Sequence, residues 1–191
     1  MIFKVLVVGV GNMGSSHARA YHKINDFTLV GLVSRTPKKR NKLAIELGDV
    51  PQFDNFDTAL KQTNPDIVSI NSYTETHKEF AIKSLNNGAH VFIEKPLAEN
   101  IKDAKEIIDL ALNKNKKIVV GYILRHHPTW KKFINLSQGL GSPLVMRMNL
   151  NQQSSEEQWE IHKNLMKSTS PIVDCGVHYV DIMCQMTKSK P

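Results

Sequence analysis

The sequence predicts an α/β protein whose first part is a doubly wound parallel sheet with helices on both faces. Three observations predict it. Short apolar, β-branched runs alternate with segments of helical period from residue 3 to about residue 121. The first run ends in three glycines, Gly9, Gly11 and Gly14, which open a helix. After residue 121 the rhythm changes, which sets a boundary between a domain at 1–121 and a partial second domain at 122–191.

Each element has its own reason. Phe3–Val8 is apolar and reads as a buried strand, and Asn12–Lys23 as the helix that follows the glycines. Thr28–Val33 is a second apolar run. A helix near Pro37–Leu47 starts with proline, whose missing N–H costs nothing in a first turn. Asp57–Gln62 reads as a short helix and Asp66–Ile70 as a strand. Thr76–Asn86 reads as a helix stopped by Asn87-Gly88. Val91–Ile93 and Ile118–Gly121 are strands. Between them, Ile101–Asn113 repeats apolar residues at helical spacing. Crossovers in such a sheet are right-handed. In the second part, Pro128–Leu136 and Ile172–Met186 read as helices, and Leu144–Asn151 alternates like a half-exposed strand. Gln152–Lys167 is a polar stretch. A lone strand cannot bury its face, so the second domain is expected to be truncated or to depend on partners.

Composition narrows the function. The 191 residues are 41% hydrophobic and 23% charged, values ordinary for a globular chain. No apolar run nears the roughly 18–20 residues a membrane helix needs. The start shows no leader pattern, so a cytoplasmic protein without a membrane partner is expected. Two cysteines, Cys175 and Cys184, are too few for a disulfide framework. The net charge of +7 comes from lysines spread over many helices without interleaved aromatics, so no nucleic-acid partner is expected.

The glycine spacing has a physical logic. Gly9 permits a tight turn, Gly11 lets the backbone approach a pyrophosphate, and Gly14 lets the helix pack closely on its strand. The phosphates then sit over the positive end of the helix dipole. Asn12 and Met13 belong to the same cradle. The context, a strand before and a helix after, is that of a Rossmann dinucleotide site. NAD-specific sites carry an acid about 20 residues further on, for the ribose hydroxyl. Here the end of the second strand reads Ser34-Arg35-Thr36, followed by Lys38, Lys39 and Arg40. Two hydroxyls and a guanidinium suit a 2′-phosphate, so NADP is expected ahead of NAD. Lys38, Lys39 and Arg40 either join them or form a solvated face.

Two further stretches matter, Glu94-Lys95-Pro96 after a strand and Asp174-Cys175-Gly176-Val177-His178. With the glycine loop they resemble the Gfo/Idh/MocA oxidoreductases, over essentially the whole chain. Thr74-Glu75-Thr76-His77 resembles that family's cofactor-contacting loop, and Gly121-Tyr122-Ile123-Leu124-Arg125 its entry into the second domain. The resemblance implies a Rossmann domain followed by an α/β domain on a large, mostly antiparallel sheet. It also implies chains up to about twice this length, association as dimers or tetramers, and a small sugar or polyol substrate. A truncated second domain is therefore expected on this ground too.

The resemblance further implies that Lys95, Asp174 and His178 form the catalytic group, and that Thr74, His77, Glu94 and Lys95 itself join the cofactor site. The chemistry agrees with this. His178 titrates near neutrality and suits a general acid/base. Lys95 near a strand's carboxyl end can orient the substrate oxygen. Asp174, four residues before His178, shares a helix face with it, either to orient the imidazole, to bind a substrate hydroxyl or as a surface contact. Glu94 contacts the nicotinamide ribose or caps its turn, and His77 approaches the cofactor or only starts a helix. Arg125 anchors substrate or domain, and Trp159 lines a pocket or packs. Cys175 reads as a packed small residue. No metal site is expected, since Asp174, His178 and Asp181 lack a ligand signature. The Lys95–Pro96 bond is open to either isomer, with trans the base expectation. Together these residues predict an NAD(P)-dependent dehydrogenase. A nicotinamide-binding regulatory protein and redox-neutral chemistry on glycosides are the alternatives.

Overall fold

The computed structural model describes residues 1–149, 155, 159, 160, 163, 166 and 170–190. The chain divides into two compact units, Met1–Gly121 and Tyr122–Pro191.

The first unit is a six-stranded parallel sheet in the order β3-β2-β1-β4-β5-β6. The strands are β1 (Phe3–Val8), β2 (Phe27–Val33), β3 (Gln52–Phe53), β4 (Ile67–Ile70), β5 (His90–Ile93) and β6 (Ile118–Val120). The helices are α1 (Asn12–Lys23), α2 (Pro37–Glu46), α3 (Phe56–Thr63), α4 (His77–Asn86) and α5 (Ile101–Asn113). A 3₁₀ turn, Thr74–Thr76, leads into α4.

Alternation along β1 builds two cores. Val5 and Val7 pack with Ala18 of α1 and with Leu43 and Ala44 of α2. Leu6 and Val8 face the other way, to Phe56, Leu60, Ala81, Leu85 and Ile107 of α3, α4 and α5. Val5, Leu6 and Val7 are fully buried. The helix ends follow their capping chemistry. Asn55 and Asn100 accept from the backbone N–H of Thr58 and Asp103, at 2.9 Å each. Gly88, at φ +84°, closes α4.

Strand β3 was not expected. It has two residues and no apolar run. It exists because the Leu32 N–H finds the Pro51 carbonyl and the Ser34 N–H finds that of Phe53. The Arg40 guanidinium then bridges the Ser34 and Phe53 carbonyls.

The second unit, among the described residues, contains a 3₁₀ turn Ile123–Arg125, α6 (Pro128–Ser137), a π-turn Ile172–Gly176 and α7 (Val177–Thr187). Two expectations are corrected. Residues 144–149 of the expected strand form none, because no partner strand is present among the described residues to take its hydrogen bonds. The rest of that strand, and most of the polar stretch after it, lies outside the described residues. The expected helix from Ile172 begins instead as a π-turn, a widening that apolar periodicity does not register. The large antiparallel sheet is likewise not present among the described residues. None of their helices is long and apolar enough to cross a membrane.

Leu6→Ala, in the middle of the sheet, should destabilise the protein by about 2–5 kcal/mol. Urea unfolding will show this as a lower midpoint with an unchanged slope.

Candidate active site

All six strands are parallel, so their carboxyl ends share one edge. The residues just beyond the strands continue the ladder there. The Gly9 N–H donates to Val33 at 2.9 Å, Asn71 to Val8 at 2.7 Å, Glu94 to Ile70 at 2.9 Å and Gly121 to Ile93 at 2.8 Å. Strand order reverses between β1 and β4, and in such sheets ligands bind at that reversal.

Gly9 and Gly14 have there the geometry that the spacing predicts for a tight turn and a close helix. Gly9 has φ +84°, and a Cβ on it would stand 2.6 Å from the Asn71 carbonyl oxygen. A Cβ on Gly14 would stand 1.8 Å from the Gly9 oxygen, so only glycine lets α1 come this close to its strand. A Cβ on Gly11 would meet nothing within 4 Å. Its freedom faces open space, where a ligand backbone has room to approach. Gly11 is the N-cap of α1, with no side-chain cap and no acid in the first turn, which leaves the positive helix end for an anion. Asn12 and Met13 are exposed beside it. A cleft of about 400 Å³ runs from Gly11, Asn12, Ser15 and Ser16 to Lys39 and Lys42. Arg19 neutralises Glu46, its one acid, through a two-point ion pair.

At the end of β2 no carboxylate is present. The Ser34 hydroxyl accepts from the Thr36 N–H at 3.2 Å, and Arg35 is exposed. Arg40 is held by backbone carbonyls, which separates it from the exposed Lys38 and Lys39. The Asn71 Oδ1 is buried and no donor among the described residues reaches it, while its Nδ2 donates to Ser69. A glycine cradle, an uncapped helix start and an orphaned acceptor at the strand reversal together fit a dinucleotide.

The loops after β4 and β5 are tied by a histidine. His77 is fully buried, with Nδ1 2.8 Å from the Pro96 oxygen and Nε2 3.1 Å from the Ser72 oxygen. Both ring nitrogens therefore face protein carbonyls. Thr74, at the start of the 3₁₀ turn, is half-buried. The Lys95–Pro96 bond is cis. Glu94 is 8% exposed; its Oε1 lies 2.9 Å from His17 Nε2, and its Oε2 accepts from the Lys95 N–H at 3.3 Å. Sequence reading missed His17. The available signal was a histidine three residues after Gly14, in the helix that the glycines open.

In the second unit, Asp174 lies in the π-turn and His178 in the first turn of α7. The Cys175 thiol lies 3.4 Å from the Asp174 Oδ2. The His178 ring meets Tyr122 edge-on, with centroids 6.2 Å apart. Arg125 makes a two-point ion pair with Asp181 and lies over the Tyr122 ring, so its charge is spent within this unit. Burial pushes the Tyr122 hydroxyl up, and Asp181 adds to the shift. Trp159 is half exposed. No three His, Cys, Asp or Glu side chains among the described residues cluster as a metal site requires.

Burial pushes the His77 pKa down, against the pull of the Pro96 and Ser72 carbonyls. The folded state thus binds fewer protons than the unfolded chain. The contribution of His77 is complete above its unfolded value of about 6.5 and is lost as pH falls below it. His90, also lowered by burial and by Lys116 and Lys117, acts in the same direction. Melting temperatures from pH 7.5 to 5 should fall for the wild type and fall less steeply for His77→Gln.

A family model described as an oxidoreductase family with an NAD-binding Rossmann fold, Gfo/Idh/MocA, matches residues 3–122. The chain is 27% identical over 184 residues to D-glucoside 3-dehydrogenase of Escherichia coli, covering 93% of this chain and 52% of that protein. It is 25% identical over 191 residues to inositol 2-dehydrogenase of Salmonella typhimurium, covering 96% and 54%. The chain thus spans about half the length of the curated relatives it matches. In fold it is similar to myo-inositol 2-dehydrogenase from Lactobacillus plantarum, with TM-score 0.85 at 20% identity, over 100% of this chain and 58% of that one. It is also similar to scyllo-inositol dehydrogenase from Lactobacillus casei with bound NAD(H) and scyllo-inositol, with TM-score 0.78 at 21% identity, over 97% and 56%. With the matched family model over most of its length and the glycine cradle at the strand reversal, this chain belongs to the Gfo/Idh/MocA oxidoreductase family, with an NAD-binding Rossmann fold.

Proposed function

We propose that the chain serves an NADP(H)-dependent dehydrogenase acting on a CH–OH group of a sugar, cyclitol or related small polyol. The observation that carries the cofactor choice is the end of β2. It offers the Ser34 hydroxyl, the exposed Arg35 and Thr36, with no acid to repel a 2′-phosphate. The substrate class is supported by the relatives, which are named for dehydrogenation of glucosides and inositols.

Gly9, Gly11, Asn12, Met13 and Gly14 would hold the pyrophosphate, with Thr74 and the residues after β5 toward the nicotinamide end. When bound, the nicotinamide supplies a hydride acceptor or donor at its ring carbon. The chain supplies the proton chemistry. His178 takes the hydroxyl proton at a ring nitrogen during oxidation and returns it during reduction. Lys95 directs its Nζ at the substrate oxygen and stabilises the charge that develops there. Asp174 orients the imidazole or holds a neighbouring hydroxyl. A homo-oligomer of the full-length protein and a cytoplasmic location belong to the same proposal.

Fluorescence titration with NADPH and with NADH tests the cofactor choice directly. NADPH should bind at least about tenfold more tightly, and Arg35→Glu should remove about 1.5–3 kcal/mol from NADPH alone. Equal affinities would overturn the NADP assignment. Gly14→Ala should abolish binding of both, because its Cβ has no room against the Gly9 oxygen. Lys95→Met should retain NADPH binding while turnover on a polyol and sugar panel drops by about 10²–10⁴. Unchanged turnover would overturn the assignment of Lys95.

A further inference from the structure

A buried carboxylate needs partners, because taking its charge out of water is costly. Glu94 is such a carboxylate, and three features of the first unit are fitted to it. His17 Nε2 lies 2.9 Å from one oxygen, with the two side chains only 19% and 10% exposed. The Lys95 N–H donates to the other oxygen at 3.3 Å. At residue 121 there is no side chain, and a Cβ would stand 3.1 Å from the carboxyl carbon and from both oxygens. The His17 ring is in turn seated on Phe92 of β5, with centroids 4.6 Å apart. A carboxylate oxygen accepts, so the ring meets it as the Nε2–H form.

His17 sits on α1, the helix whose first turn forms the glycine cradle. A single hydrogen bond thus links the phosphate-binding helix to the residue preceding Lys95. We propose that His17 is a positioning residue: through Glu94 it fixes the backbone at Lys95 relative to the cradle, so that cofactor and lysine share one frame. The proposal rests on the reading of Lys95 as the substrate-facing lysine. In it, Glu94 links two protein groups, one oxygen meeting His17 and the other accepting from the Lys95 N–H, and its further lone pairs leave the ribose contact open.

Two substitutions separate positioning from packing. His17→Phe keeps a ring on Phe92 but cannot donate to Glu94. His17→Gln gives up the ring but carries an amide donor. Amide hydrogen exchange of the ligand-free chain reads the link without any turnover. The Lys95 amide should exchange at least about tenfold faster in H17F, and within about threefold of wild type in H17Q. NADPH affinity should stay close to wild type in both, because the cradle is untouched. With myo-inositol and D-glucose as substrates, kcat should fall by about 10- to 100-fold in H17F and recover in H17Q, with the cofactor KM unchanged. Unchanged Lys95 exchange in H17F would overturn the proposal. So would a parallel fall of NADPH affinity, melting temperature and kcat in both variants, which marks a folding role. Failure of the parent reading looks different: Lys95→Met would leave turnover intact while the exchange result in H17F stood.

Discussion

The first unit depends on how closely α1 is allowed to approach the ends of β1 and β4. Gly14 lies where any Cβ would strike the Gly9 carbonyl, and Gly9 lies where any Cβ would strike Asn71. Those two missing side chains bring the helix start down onto the strand reversal. Three features of the edge go with that approach. The uncapped first turn faces the ligand side, Ala18 sinks into the core beside Val5 and Val7, and His17 comes within reach of Glu94. Glycine is costly in a helix, by about 1 kcal/mol relative to alanine. Here the cost is offset by packing that no larger residue permits.

Around this contact the edge is organised by backbone carbonyls as much as by side chains. Arg40 gathers the ends of β2 and β3 through two carbonyls, and His77 joins the loops after β4 and β5 through two more. Both residues have ligand-like chemistry and both are used to hold loops. Lys39 and Lys42, both exposed, line the cleft that begins at the cradle, and Arg35 and Lys38 are exposed after β2. In the second unit Arg125 follows the same pattern, with its charge taken up by Asp181.

How legible each feature was depended on whether its cause lay nearby in the chain. Strand β1 and helices α1 and α5 could be read to the residue, because their ends carry local marks: glycines after Val8, Asn100 before Ile101. The two-residue β3 had no apolar pattern to read; it is produced by the needs of β2 and by Arg40. Residues 144–149 had the alternation of a strand but no partner strand among the described residues, and pairing is what makes a strand. The π-turn at Ile172–Gly176 keeps the same apolar rhythm as an α-helix. At the site, the glycines and the missing acid after β2 were visible in the sequence. His17 was not, because its partner is 77 residues away and only the fold brings them together.

The sheet's two outer strands have a consequence for the protein in a crowded solution. β3 has two residues and β6 three, while the interior is built on longer strands such as β1 and β2. A short border offers few open peptide groups for a foreign chain to extend. Lys114, Lys116 and Lys117 stand just ahead of β6, where their charges would meet their own copies if two borders tried to zip together. Val119, half exposed on that border, is thus flanked by a built-in deterrent to fibrillar stacking.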